Sequence, residues 1–330
     1  MDQIKVYKDK DVSQNLLKDE LIGIIGYGNQ GRAQALNLKD SGLDVVIGLR
    51  KGSESIKLVK KDGFKQILSI EELVKKSNVI CFLIPDDQIS KVFSEKVKPH
   101  LTPNQTLLFS HGYCIHFNHI SVPDFVNIIL VAPSGTGLMV RKEYLEKRGV
   151  PNLIAVQQDY TKTAFNIALS YSMSIGGTRA GAFISTFEEE TVSDIFGEQT
   201  ILTGGLPKLI QKSFNTLIDD GYSSAVAWLV CYYEVKLIVD SFHDKGFEFL
   251  NKSISNLAEY GGQTRGEELI DKKIESKMRR ILNEIKNGTF EEEWEREKEG
   301  DYSLLKMRRK KDKISRIEKT TKMMLKLLKS

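Results

Sequence analysis

The sequence predicts an α/β protein in two parts, an N-terminal doubly wound parallel sheet followed by an all-helical C-terminal half. Three observations predict it. Short, β-branched, nearly continuous apolar runs recur through the first half; polar helix-like segments separate the earlier runs; and after about Gln158 apolar residues fall three and four apart instead. Apolar runs of this kind suit strands buried on both faces of a parallel sheet, and their alternation with helices is the pattern of a doubly wound domain.

In chain order the strand-like runs are "LIGIIG" (21–26), "LDVVIGL" (43–49), "NVICFLI" (78–84), "QTLLFS" (105–110), "VNIILVA" (126–132) and "NLIAV" (152–156). "TAFNIALSYSMSIG", "PKLIQKSFNTLIDDG" and "SSAVAWLVCYYEVKLIVDSFHDKG" follow at helical spacing. The glycines of "IGGTRAG" (175–181) end a helix and lead into the second part, so the expected division is 1–181 and 182–330. A chain of 330 residues, 41% of them hydrophobic, has the length and the apolar content for a core in each.

The N-terminus "MDQIKVYKDKDVSQNLL" is charged throughout and resembles no signal peptide, and no apolar run approaches the roughly eighteen residues of a membrane span. A cytoplasmic location, away from any membrane, is expected. Cys81, Cys114 and Cys231 are odd in number and widely spaced, which argues against a disulfide framework or a zinc site; all three read as small buried apolar residues. The net charge is 48 − 44 = +4, but residues 301–330 hold 11 basic and 3 acidic side chains. No aromatic interleaves that basic run after Tyr302, while Ile314, Ile317, Met324 and Leu328 recur at helical spacing. A solvated helix is therefore expected, with no nucleic-acid partner. "EEEWEREKEG" (291–300) reads as an acidic surface patch or a helix start.

The first strand runs into "GYGNQG", residues Gly26, Tyr27, Gly28, Asn29, Gln30 and Gly31 in G-x-G-x-x-G register, and then into the helical "RAQALNLKDSG" closed by Gly42. Glycines so placed allow a tight turn and bring backbone N–H groups at a helix N-terminus against a dinucleotide pyrophosphate. After the second strand an acidic residue would mark a free ribose 2′-hydroxyl. The sequence instead has "IGLRKGSES", where Arg50, Ser53 and Ser55 suit a 2′-phosphate, so NADP(H) is expected over NAD.

"TVSDIFGEQ" (191–199) places Asp194 and Glu198 four residues apart, on one helix face. With Ile195 and Phe196 beside them the pair is expected to be partly buried, where two anions need a counter-charge such as Mg²⁺. Glu234, amid the apolar helix "CYYEVKLIVD", adds a third acid. The run Glu188–Glu190 reads as an acidic helix N-terminus favoured by the dipole.

"GYGNQGRAQALNLKDSG", "IGLRKGSES", "SHGYCIHF", "GVPNLIAVQQD", "IGGTRAG", "TFEEETVSDIFGEQTILTGG", "EVKLIVD" and "SISNLAEYGG" together resemble the motifs of short-form ketol-acid reductoisomerases, in the same order, over about residues 3–320. The resemblance implies a Rossmann domain, a knotted all-helical domain and a homodimer or higher oligomer whose subunits complete each other's active sites. It also implies NADPH and two Mg²⁺ ions. The metals polarise 2-acetolactate or 2-aceto-2-hydroxybutyrate while an alkyl group migrates, and NADPH then reduces the 2-keto acid, on the way to valine and isoleucine. By the same resemblance Asp194 bridges the metals and Glu198 ligates one. Glu234 serves the other ion from the second subunit, Ser255 in "SISN" hydrogen-bonds the substrate carboxylate, and His111 in "SHGY" lies near the nicotinamide as the catalytic histidine.

Two departures from the family pattern fall on functional positions. The loop A-P-K-G-P-G-H of the family is here "APSGTGL", with Ser134 in place of the lysine, and Val230 stands where a glutamate precedes Glu234 by one turn. Thr136, Leu138 and Leu257 are smaller departures. Alkyl migration is the step these changes would weaken, which leaves as alternatives a 2-keto acid reductase or a non-catalytic NADPH-binding subunit.

Overall fold

The computed structural model describes residues 4–329, and the chain folds as two compact units, Met1–Thr191 and Val192–Ser330. The first unit is built on a nine-stranded sheet: β1 (Val6–Tyr7), β2 (Leu21–Ile25), β3 (Asp44–Gly48), β4 (Ile67–Leu68), β5 (Val79–Phe82), β6 (Thr106–Phe109), β7 (Asn127–Pro133), β8 (Asn152–Gln158) and β9 (Ala182–Ile184). Their order is β1-β9-β8-β7-β6-β5-β2-β3-β4. Each of the six strand-like runs is a strand, and β4-β3-β2-β5-β6-β7 are mutually parallel, as a doubly wound domain requires. Ile22, Ile24, Leu108, Ile129, Val131 and Ile154 are fully buried in its core.

The sheet is mixed rather than wholly parallel. β8 runs antiparallel to β7, and β1 antiparallel to β9. The reason is local. The helix Gly137–Leu145 packs back along the helix Asn29–Asp40, where Asn37 Nδ2 donates to Val140 O at 3.2 Å and Arg141 Nη1 donates to Asn37 Oδ1 at 2.8 Å. Lys147 then takes a left-handed φ of 57° and turns the chain straight back into β8 from the end it left. The helix Ala164–Ser174 belongs to this first unit, with Ala168, Leu169 and Tyr171 in the sheet's core, and β9 continues the sheet beyond the glycines of "IGGTRAG".

Beyond β9 every element is helical, matching the expectation of an all-helical second part. The core of the second unit gathers Phe214, Ala227, Trp228, Ile317 and Met324, and Trp228 Nε1 donates to Thr321 Oγ1 at 2.9 Å. The basic tail forms the helices Ser303–Lys313 and Arg316–Leu327. Its apolar residues do not form one stripe: Ile317 and Met324 are buried, whereas Ile314 and Leu328 are exposed, because the chain breaks between the helices and Ser315 caps the second. Glu291 and Glu292 lie in the first turn of the helix Thr289–Glu299, so the acidic run is a helix start. Among the described residues no helix is long and apolar enough to cross a membrane.

Candidate functional site

In the first unit the carboxyl ends of the parallel strands carry the expected residues. Gly26 ends β2 with φ of 98° and donates its N–H to Gly48 O at 3.1 Å; a Cβ there would come within 2.6 Å of Leu83 O. Gly28 caps the helix Asn29–Asp40 with no side-chain partner, and a Cβ on it would have nothing within 4 Å. Gly31 is the reverse case, since its Cβ would stand 2.6 Å from Gly26 O. The three glycines thus divide the work. The first makes the turn, the second keeps open the space in front of the helix N-terminus, and the third lets helix and strand touch. The N–H groups of Asn29, Gln30 and Gly31 lie in the first turn, where no intrahelical acceptor exists.

The side chains of the same loop are anchors. Gln30 Nε2 donates to Gly135 O at 2.8 Å, and Gln34 Nε2 donates to Gln30 Oε1 at 3.0 Å and to Ser110 Oγ at 3.1 Å. Tyr171 O–H donates to Gln34 Oε1 at 2.8 Å. Tyr27 is buried and donates its hydroxyl to Asp62 Oδ2 at 2.9 Å; burial first, and the Asp62 carboxylate second, push the phenol well above its usual range.

A cleft of about 210 Å³ is lined by Gly26, Tyr27 and Gly28 together with Arg50, Ser53 and Ser55. Arg50 is exposed, Ser53 and Ser55 are half-buried, and the turn between them is closed by Ser53 N–H donating to Arg50 O at 3.1 Å, with Gly52 at φ of 76°. The glycine loop and the three residues expected at a 2′-phosphate therefore share one cavity. Pro85 and Gln88 also line it. They were not singled out in the sequence, although their place directly after a strand that ends at Phe82 is where such sheets bind ligands.

His111 follows β6, and its Nδ1 lies 3.1 Å from Asp86 Oδ2. The next residue, Gly112, donates its N–H to the buried carboxylate of Glu190 at 2.8 Å. A Cβ on Gly112 would stand 2.5 Å from Thr191 Oγ1. Asp86 and Glu190 thus hold the histidine loop; the sequence pattern did not mark Asp86 and read Glu190 only as part of an acidic helix N-terminus. Ser134 is exposed just past β7 and donates its N–H to Pro151 O at 2.8 Å.

In the second unit the acids are not buried as expected. Asp194 and Glu198 are both exposed, while Val192 and Ile195, on another face of the same helical stretch, are buried; the apolar neighbours in sequence are not neighbours in space. The helix Phe187–Gly197, with Glu188–Glu190 in its first turn, passes into a π turn, Glu198–Leu202, closed by Thr203 N–H donating to Glu198 O at 2.9 Å. A second π turn, Leu229–Tyr233, contains Val230 and is closed by Glu234 N–H donating to Leu229 O. Such turns cluster at functional positions. Glu234 is exposed at the start of the helix Glu234–Lys245, and among the described residues Asp194, Glu198 and Glu234 do not converge on a common ion position within one protomer. Carboxylate oxygens alone are a donor set that suits a hard cation such as Mg²⁺. Ser255 is exposed and caps the helix Asn256–Leu269, its Oγ accepting from Ala258 N–H at 3.2 Å.

The three cysteines form no disulfide. Cys81 and Cys114 are buried as expected, but Cys231, in the second π turn, is only partly so.

Comparison with known proteins matches residues 16–181 to the acetohydroxy acid isomeroreductase NADPH-binding domain and residues 187–330 to the ketol-acid reductoisomerase C-terminal domain. The chain is 45% identical over 324 residues to a ketol-acid reductoisomerase (NADP(+)) of Methanocaldococcus jannaschii, covering 98% of each chain. It is 42% identical to the enzyme of that name from Clostridioides difficile, covering 98% of this chain and 99% of the other. A solved structure of an NADH-preferring ketol-acid reductoisomerase from an uncultured archaeon superposes with a TM-score of 0.95 at 38% identity, over 98% of this chain and 99% of that one.

Proposed function

The chain belongs to the ketol-acid reductoisomerase family, and on that premise we propose that it converts 2-acetolactate and 2-aceto-2-hydroxybutyrate to 2,3-dihydroxy-3-methyl acids in valine and isoleucine synthesis. Residues 1–181 hold NADPH and residues 182–330 hold metal and substrate. The observation that carries the cofactor reading is the single cleft that joins the open space at Gly28 to Arg50, Ser53 and Ser55. One anionic group of NADPH faces the first-turn amides of Asn29, Gln30 and Gly31, and the second faces a guanidinium and two hydroxyls. Tyr27 supports the loop from behind through Asp62.

Asp194, Glu198 and Glu234 are the residues that would hold Mg²⁺, which would supply polarisation of the substrate's carbonyl and hydroxyl, as NADPH would supply hydride. Ser255 binds the substrate carboxylate. Its oxygen already accepts from Ala258 N–H, so its own proton is free to donate to an anion, at the N-terminus of a helix whose dipole favours negative charge. His111 serves as proton holder just beyond β6, its ring fixed through Nδ1 by Asp86. Glu234 acts from a second copy of the chain. Val230, Tyr232, Tyr233, Leu237 and Ile238, each at least 42% exposed, supply the apolar surface that a cytoplasmic homodimer covers.

A second reading rests on Ser134 and Val230: a reductase that has lost alkyl migration, or an NADPH-binding subunit without turnover. An NADPH-oxidation assay with Mg²⁺ separates the three. Turnover of both 2-acetolactate and 3-hydroxy-3-methyl-2-oxobutanoate supports the full activity, and turnover of the second alone leaves the reductase. Tight NADPH binding with neither substrate consumed rejects both enzymatic readings.

A further inference from the structure

Behind the glycine loop lies a clamp of which only Tyr27 lines the cofactor cleft. Asp62 follows the helix Ser55–Lys61, the helix that starts at the proposed 2′-phosphate residues. Its carboxylate is 11% exposed and receives three donors: Arg32 Nε at 2.7 Å and Tyr27 O–H at 2.9 Å on Oδ2, and Arg32 Nη2 at 3.0 Å on Oδ1. Lys39 Nζ donates to the carbonyls of Asp62 at 2.9 Å and Gly63 at 3.0 Å, and its ammonium lies 4.9 Å from the Phe64 ring. Phe64 in turn meets Tyr27 edge-on at 5.8 Å. Tyr27 sits within the phosphate loop, and Arg32 and Lys39 sit on the helix behind it. Every contact thus joins the C-terminal end of the helix Ser55–Lys61 to the element that faces the pyrophosphate, while the proposed 2′-phosphate residues lie at the N-terminal end of the same helix. The Arg32 guanidinium and the Tyr27 hydroxyl hold the Asp62 carboxyl below the usual carboxylate range, so the clamp stays charged at neutral pH.

A dinucleotide phosphorylated at the 2′ position is held at two anionic points, and its unphosphorylated counterpart at one. Fixing the distance between the two points therefore matters to the first far more than to the second. We propose that Asp62 is a positioning residue for 2′-phosphate selectivity. Through Arg32 and Tyr27 it sets the spacing of Arg50, Ser53 and Ser55 from the phosphate loop, and this rests on the reading of those three residues as the 2′-phosphate cradle.

The test is fluorescence titration of the purified full-length protein with NADPH and with NADH, for wild type and for Arg50→Ala, Asp62→Ala and Asp62→Asn. Asp62→Ala is expected to lower the NADPH-over-NADH affinity ratio roughly tenfold, the loss of about one charge-assisted hydrogen bond at the 2′-phosphate. NADH binding should stay within about twofold of wild type. Asp62→Asn, which keeps one acceptor oxygen for Tyr27 and Arg32 Nε but loses the second oxygen and the charge, is expected to fall between, and it carries the test if the alanine variant does not fold. If Arg50→Ala lowers the ratio while both Asp62 variants leave it unchanged, or weaken both cofactors equally, the positioning role is overturned and the cradle stands. An unchanged ratio in Arg50→Ala overturns the cradle itself, and the positioning role with it.

Discussion

Two glycines three residues apart should fail in opposite ways when given a methyl group. Gly28 has φ of −83° and ψ of −155°, which other residues adopt, and its added Cβ meets nothing within 4 Å. Gly28→Ala should therefore leave the unliganded melting temperature unchanged or slightly raised, since alanine at a compatible position adds about 0.4–1 kcal/mol through the unfolded chain. The methyl group fills the space through which the pyrophosphate approaches the first-turn amides. Losing one amide-to-phosphate hydrogen bond costs about 1.5–3 kcal/mol, or roughly 10- to 150-fold in NADPH affinity. At a cofactor concentration of about 100 Kd the wild type gains about 2.7 kcal/mol, which is roughly 5–10 °C in Tm for a unit of this size, and a 100-fold weaker variant keeps about 1 °C of that rise. Gly31→Ala is the converse. Its Cβ lands 2.6 Å from Gly26 O and must retreat 0.8 Å to reach ordinary contact at 3.4 Å. Overpacking of that kind costs about 1–3 kcal/mol and should lower the unliganded Tm by roughly 2–12 °C. Thermal melts with and without NADPH read both effects. A full NADPH-dependent rise in Gly28→Ala would refute the phosphate site, and an unchanged Tm in Gly31→Ala would refute the packing.

Other outcomes follow from the same geometry. The double substitution Ser134→Lys with Val230→Glu should raise turnover of 2-acetolactate more than turnover of 3-hydroxy-3-methyl-2-oxobutanoate, read by NADPH oxidation; equal effects on both would remove these positions from the alkyl-migration step. Chelation by EDTA should abolish turnover and added MgCl₂ restore it, and Asp194→Asn should raise the Mg²⁺ needed by at least roughly 10- to 100-fold. Burial, opposed by the weaker pull of Glu188, holds the His116 pKa below its usual value, so the folded state resists that proton. Stability owed to His116 is present above about pH 6.5 and lost as pH falls toward the folded value; denaturant melts of His116→Gln should show a flatter decline across that window. Full burial pushes the Cys81 thiol up to about 12, so neither Cys81 nor the equally buried Cys114 should react with a thiol reagent at pH 8 until denaturant is added.

What the sequence revealed of the fold and site depended on the range over which each feature is encoded. The G-x-G-x-x-G loop and the turn at Arg50 are local, and their strand and helix flanks make them readable; the structure then gives Gly26, Gly28 and Gly31 distinct contacts. β1, β4 and β9 are two or three residues long, too short for any period to register, and the reversal of β8 hangs on one left-handed residue, Lys147. The partners of the loops were invisible for a different reason. Asp62 lies 30 residues from Arg32, and Glu190 lies 78 from Gly112, so only folding brings them together. The apolar neighbours of Asp194 misled because adjacency in a helix sends side chains to different faces, which left the acids exposed. The π turns had no signal at all, since apolar residues spaced three and four apart run through them without a break.

Those wide turns restrict how the chain can change in length. A π turn holds one residue more than the α-helix it interrupts, so deleting a single residue from 198–202 or from 229–233 would let the hydrogen-bond ladder close without a gap. The repaired helix would be more regular, and what lies beyond the deletion would keep nearly its place around the axis, because a π turn of five residues and four residues of α-helix cover about the same rotation. For Glu234, which begins directly after its turn, such a deletion would keep the carboxylate on its side of the helix, whereas a deletion in the regular helix before the turn would swing it by about 100°. A one-residue deletion within either turn is thus one the helix absorbs, and the same deletion a turn away is one it transmits to everything downstream. These two segments are the points at which the helices can lose a residue and still aim their side chains as before.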